Sequence, residues 1–121
     1  MVNYFWDSYA VIEVIDGNKN YSRYIEENVV TSIFNLAEIY WFALNEYQEE
    51  KANDIFEKIK KCVIGIDYET LQSALKFRKK YKKRNLSYAD CIGYNLALNN
   101  NLKFLTGDKE FEDMPSVEFV K

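Results

Sequence analysis

A chain of 121 residues, 48% hydrophobic and 17% aromatic, is expected to fold as a single domain over residues 1–121; it is too rich in core-forming side chains for a disordered tail. A net charge of −3 excludes a strong overall field of either sign, and two cysteines exclude a disulfide framework or a zinc cluster of the usual spacing. No charged segment precedes the first apolar run, and no run approaches the roughly 20 apolar residues of a membrane span, so neither a signal peptide nor membrane contact is expected and the cytoplasm is the natural compartment.

Residues 2–6 read as a strand stopped by Asp7 and Ser8. Ala10, Val11, Val14 and Ile15 recur at helical spacing, which predicts a helix over 8–15 rather than a hairpin at Asp16-Gly17. Gly17 is available for the left-handed position after its end. A short helix over 21–27 and a short strand over 28–31 follow. Ser32 is a good N-cap for a helix over 33–45, and a second helix covers 49–60, with Ala52, Ile55, Phe56 and Ile59 on one face. Residues 62–66 read as a strand; Cys62 at its start, like Cys91, lies among apolar neighbours and is expected as a reduced, buried thiol. Asp67 caps a helix to about 81, with Leu71, Ala74, Leu75 and Phe77 as core candidates, and Ser87 caps another over 88–99. A strand over 102–105, a single turn over 108–111 and a strand over 117–120 close the chain. This alternation predicts an α/β fold: a three-layer α/β/α sandwich around a central, mainly parallel sheet. Ligand sites in such sheets lie beyond the carboxyl ends of the strands.

That rule singles out four acids. Asp7 follows the first strand, Asp108 follows the 102–105 strand, and Glu38 and Asp90 sit in helices that begin near the same rim. The helix around Glu38 is apolar nearly all round and is expected to be mostly buried, and it contains no Lys or Arg. A carboxylate there needs compensation from a metal ion or another element, because burying an unpaired charge costs several kcal/mol or more. Each acid also has a purely structural reading. Asp7 and Asp108 can cap the helical turns they precede, Ser87-Tyr88-Ala89-Asp90 is a capping box with Asp in place of Glu, and Glu38 can pair with a distant Lys. Two carboxylates about 4 Å apart repel by roughly 4 kcal/mol at an effective dielectric near 20, so four on one rim require cations or raised pKa values. An all-oxygen set without His suits Mg2+, or Mn2+ as the alternative, and such ions support phosphodiester hydrolysis.

The sequence pattern is an apolar strand ending in Asp7-Ser8, then Asn35-Leu36-Ala37-Glu38, then Leu86-Ser87-Tyr88-Ala89-Asp90, then Leu105-Thr106-Gly107-Asp108 with Phe111 three residues on. It resembles the PIN domain, particularly the toxin nucleases of VapBC toxin–antitoxin pairs, from residue 4 to about 111. The resemblance implies a Mg2+- or Mn2+-dependent endoribonuclease. By it, Asp7, Asp90 and Asp108 bind metal directly and Glu38 directly or through water. Thr106 and Ser8 help order the site, and Glu110 is the candidate further acid, with Glu112 a poorer one. It also implies a small antitoxin protein as partner and a homodimer. Lys76, Arg78, Lys79, Lys80, Lys82, Lys83 and Arg84 form a basic strip that is a candidate RNA contact, a solvated helix end or a docking surface for a partner segment. Tyr40, Trp41 and Tyr47 can serve core or interface, with the core the expected place. The competing readings are a standalone RNA-processing or decay nuclease on the same fold, and a non-catalytic RNA-binding module, which predicts lost acids. Phosphotransfer folds fit poorly: a dehalogenase-type phosphatase needs Asp at position 9, which is Tyr, and a receiver domain needs adjacent acids after its first strand.

Overall fold

A computed structural model of the chain describes residues 3–121; Val2, expected in the first strand, lies outside them. The elements, in order, are β1 (Tyr4–Trp6), α1 (Ser8–Ile15), a 3-10 helix (Lys19–Tyr24), β2 (Val29–Val30), α2 (Ile33–Glu46), α3 (Glu49–Lys60), α4 (Tyr68–Lys80), α5 (Tyr88–Asn99), β3 (Lys103–Thr106), a short 3-10 turn (Lys109–Phe111) and β4 (Val117–Phe119). The strands form one sheet in the order β2-β1-β3-β4, and every pairing is parallel.

Side-chain alternation along the strands builds two cores. Phe5 and Phe104 point to one face, where Ala74, Leu86, Ile92, Tyr94 and Phe111 complete a core with α4 and α5. Tyr4, Trp6 and Leu105 point to the other, against Ala10 and Val11 of α1, Ile39 of α2 and Ile55 and Ile59 of α3. The molecule is therefore the expected three-layer α/β/α sandwich. Helix starts follow the caps read from the sequence. The Ser32 side chain accepts from Asn35 N, the Asp67 side chain from Thr70 N, and Ser87 and Asp90 form the reciprocal capping box. Gly17 takes φ +83° just after α1.

Several expectations need correction. Residues 62–66 do not form a strand: only Val63 makes an isolated parallel bridge, to Thr31. The neighbouring strand β2 is two residues long and the chain turns into α2 at Ser32, so little edge is left to pair with. The helix expected over 21–27 is a 3-10 helix over Lys19–Tyr24, set by the Asn18 side chain accepting from Asn20 N. Helix α2 is not mostly buried. Ile33 and Trp41 are 59% and 69% exposed, Phe34, Ala37 and Leu44 are also exposed, and Trp41 leaves the core expected for it. Only one face of α2 packs inward, through Asn35, Leu36, Ile39 and Ala43. In α4, similarly, Ala74 is buried but Leu75 is exposed.

Candidate active site

Parallel pairing of β1 and β3 sets Trp6 beside Leu105, so Asp7 and the Thr106–Asp108 segment leave the sheet on the same carboxyl rim. The Asp7 backbone N–H donates to the Leu105 carbonyl at 3.0 Å. Asp7 is only 2% exposed. Its Oδ1 accepts from Ser8 N at 2.9 Å and its Oδ2 from the Thr106 hydroxyl at 2.7 Å. Thr106 Oγ1 in turn accepts from Asp108 N at 3.1 Å, so one threonine ties the two rim acids together. Gly107 makes that connection fit: a Cβ there would collide with the Val120 carbonyl and the Tyr9 ring.

Glu38 enters from α2. Its Oε1 accepts from the Ser8 hydroxyl at 2.7 Å, and among the described residues no Lys or Arg pairs with it. The helix is half exposed, so the case for Glu38 rests on that hydrogen bond and not on a buried helix. Asp90 Oδ2 accepts from Ser87 N at 2.8 Å, and Asp108 Oδ1 accepts from Glu110 N at 3.0 Å. The capping roles of Asp7, Asp90 and Asp108 are therefore all present, and they coexist with a shared location.

The electrostatics join the four acids. Asp7 is held well above the usual carboxylate range, first by burial, then by the charges of Asp90 and Glu38, against the opposing Thr106 and Ser8 hydrogen bonds. Asp90 is pushed up to about 6, first by burial; the Ser87 hydrogen bonds oppose this, and Glu38 and Asp108 add to it. No basic side chain figures among the main influences on either group.

In donor chemistry, though not in spacing, the four acids suit a hard divalent cation. All donors are oxygen, and Glu38 Oε2, Asp90 Oδ1 and Asp108 Oδ2 take no hydrogen bond among the described residues. No three of the described acids are drawn close enough to enclose an ion outright, so they are neighbours and not a closed cage. Cavity size does not mark the site: a hollow of about 530 Å3 lies elsewhere, lined by Glu46, Tyr47 and residues of α3.

Other expected residues behave differently. Glu110 takes part through its backbone, its N–H on Asp108 and its carbonyl accepting from Arg84; its carboxylate joins none of the site's hydrogen bonds. Glu112 is exposed. The basic strip splits. Arg78 stacks 4.3 Å from the Tyr88 ring centroid and donates to the Leu86 carbonyl, while Arg84 pairs with Asp113 at 3.0 Å. Lys76, Lys79, Lys80, Lys82 and Lys83 stay exposed. Asn35 has a place that sequence reasoning missed: it is wholly buried and hydrogen-bonded to Ser8. The sequence signal was its place at the head of the Asn35-Leu36-Ala37-Glu38 motif, an amide in the first turn of an apolar helix, with no role assigned to it.

The family model for the PIN domain matches residues 4–117. The chain belongs to the PIN domain family. No curated protein matches it by sequence. Among solved structures, a toxin–antitoxin complex from Klebsiella pneumoniae aligns at a TM-score of 0.77 and 20% identity, over 96% of this chain and 96% of that one. VapBC2 from Rickettsia felis, bound to a DNA fragment from its promoter, aligns at 0.72 and 15%, over 98% and 97%. VapBC-1 from nontypeable Haemophilus influenzae aligns at 0.72 and 19%, over 98% and 96%. At these identities the likeness speaks for the fold.

Proposed function

We propose that this PIN domain is a divalent-metal-dependent endoribonuclease, using Mg2+ or alternatively Mn2+, and the toxin of a toxin–antitoxin pair. One observation carries the chemistry: Asp7 and Asp90 are pushed toward their protonated forms by burial and by their acidic neighbours, a state that a bound cation relieves. Asp7, Asp90 and Asp108 would hold the ion, with Glu38 direct or through water. When bound, it lowers the pKa of a coordinated water and offsets charge on the phosphate.

The chain's own residues do the rest. Ser8 N–H and the Thr106 hydroxyl fix both oxygens of Asp7, and Thr106 and Gly107 set the backbone from which Asp108 projects. The exposed lysines at the end of α4 and just beyond it draw the RNA backbone. The chain has no histidine to act as acid, so the leaving oxygen would be protonated by water or stabilised by the bound metal ion. The relatives in the matched structures are toxin–antitoxin complexes, which supports a small antitoxin protein as partner. The exposed apolar side chains of α2 offer a face for a homodimer. Among the described residues no helix is long and apolar enough to cross a membrane.

The test is cleavage of a defined RNA with and without Mg2+ or Mn2+, wild type beside Asp7→Asn, with fragment ends mapped. Metal-dependent cleavage by wild type and none by the variant is expected. Full activity in a folded, metal-saturated Asp7→Asn protein overturns the assignment.

A further inference from the structure

Behind Glu38 lies a polar chain whose direction is fixed. Ser32, the N-cap of α2, and Asn35 and Glu38 within it are spaced by three, and side-chain hydrogen bonds link them through Ser8. The Ser32 hydroxyl donates to Asn35 Oδ1 at 2.6 Å. Asn35 Nδ2 donates to Ser8 Oγ at 3.0 Å, and Ser8 Oγ donates to Glu38 Oε1 at 2.7 Å. An amide nitrogen only donates and an ionised carboxylate only accepts, so each hydroxyl has one use for its single hydrogen. The opposite amide orientation would leave the Ser8 hydroxyl with two acceptors and one proton, and one hydrogen bond would go unmade. The hydrogens therefore run one way, from Ser32 through Asn35 and Ser8 to Glu38.

The seat of this chain is built for it. Asn35 is 0% exposed and Ser32 is buried, so an unpaired polar group there would be costly. Gly93 of α5 lies alongside; a Cβ at that position would come within 3.3 Å of Asn35 Oδ1 and 2.8 Å of the Phe5 ring. α5 thus comes close enough to α2 to enclose the amide. The chain ends on one oxygen of Glu38 and leaves Oε2 without a hydrogen bond among the described residues.

We infer that Asn35 is a positioning residue for the site: acting through Ser8, it fixes Glu38 Oε1 and so presents Oε2 to the divalent cation. This rests on the metal-dependent reading above. Partners that orient a ligand from behind typically contribute ten- to a hundredfold to metal affinity. Asn35 does so at one remove, so the lower end of that range is expected.

The experiment is a double-mutant cycle read by Mn2+ binding, with free Mn2+ followed by electron paramagnetic resonance, on wild type, Ser8→Ala, Asn35→Ala and the double variant. Circular dichroism and melting check the fold of each. Each single variant is expected to weaken Mn2+ by about tenfold. The double variant is expected to be no weaker than Ser8→Ala alone, because Asn35 acts only through that hydroxyl. Losses that multiply show an independent effect and overturn the inference, as does wild-type affinity in Asn35→Ala. If Asn35→Ala fails to fold, Asn35→Ser takes its place. It keeps a partner for Ser32 but is too short to reach Ser8, so the same coupled loss is expected, and wild-type affinity again overturns the inference. RNA cleavage measured in parallel separates the two proposals. Coupled Mn2+ losses in a protein that cuts no RNA sustain the positioning role and sink the nuclease; cleavage with uncoupled losses does the reverse. A wild-type protein that binds no Mn2+ overturns both.

Discussion

Asp90→Asn is expected to make the metal-free protein more stable while making it inactive. Asparagine keeps the shape of the side chain and an oxygen to accept from Ser87 N, so the capping box survives; only the charge is lost. The native site moves the Asp90 carboxyl from 3.8 to about 6, and one pH unit is worth about 1.36 kcal/mol, so the ionised group costs the native state about 3 kcal/mol relative to its protonated form. That figure is net of the Ser87 bonds, which favour the anion. The sign follows from linkage. The folded-state value lies above the unfolded one, so Asp90 contributes most below about pH 4, and its contribution is lost as pH rises through about 6. At pH 8 without metal the variant is therefore expected to gain about 3 kcal/mol, or roughly 10 °C in Tm for a chain of this size. At pH 4 the gain should vanish, since the wild-type group is then neutral too. Mg2+ at about a hundred times its Kd should restore about 2.7 kcal/mol to wild type and little to the variant, which lacks a ligand. Urea unfolding across pH, with chelator and with Mg2+, measures all of this. A variant less stable than wild type at pH 8 without metal, or a difference that ignores pH, would refute the repulsion argument and leave Asp90 as a helix cap.

Gly107→Ala should lower stability by about 1–3 kcal/mol and reduce cleavage, because the new methyl meets the Val120 carbonyl and the Tyr9 ring beside Asp108; Gly65→Ala, with nothing within 4 Å, is the neutral control in the same melting series. Lys76→Glu with Lys80→Glu should weaken RNA binding and flatten its salt dependence by about one unit of slope for each phosphate no longer neutralised; unchanged affinity across a salt series would rule out the phosphate role. Trp41→Glu should shift any dimer toward monomer in sedimentation without changing the fold, since the ring is largely exposed; an unchanged distribution of dimer would place that interface elsewhere.

What the sequence determined by itself was local. Ser32, Asp67 and Ser87 announced their helices because a cap's hydrogen bond closes within three residues, and α3 and α5 began and ended where periodicity put them. The parallel sheet followed from alternation, and with it the rim that gathers Asp7 and Asp108. The tertiary structure decided whatever depends on a distant neighbour. An all-apolar helix reads the same whether its far side meets a core or the surface, so the exposure of Trp41 was illegible. Residues 62–66 have the composition of a strand, but a ladder needs a partner edge, and β2 is too short to give one. Ser8, 30 residues from Glu38, and Thr106, 99 residues from Asp7, show the same limit in the site. A hydroxyl in the sequence carries no sign of which carboxylate it will meet, because only packing of the sheet and α2 brings the two together.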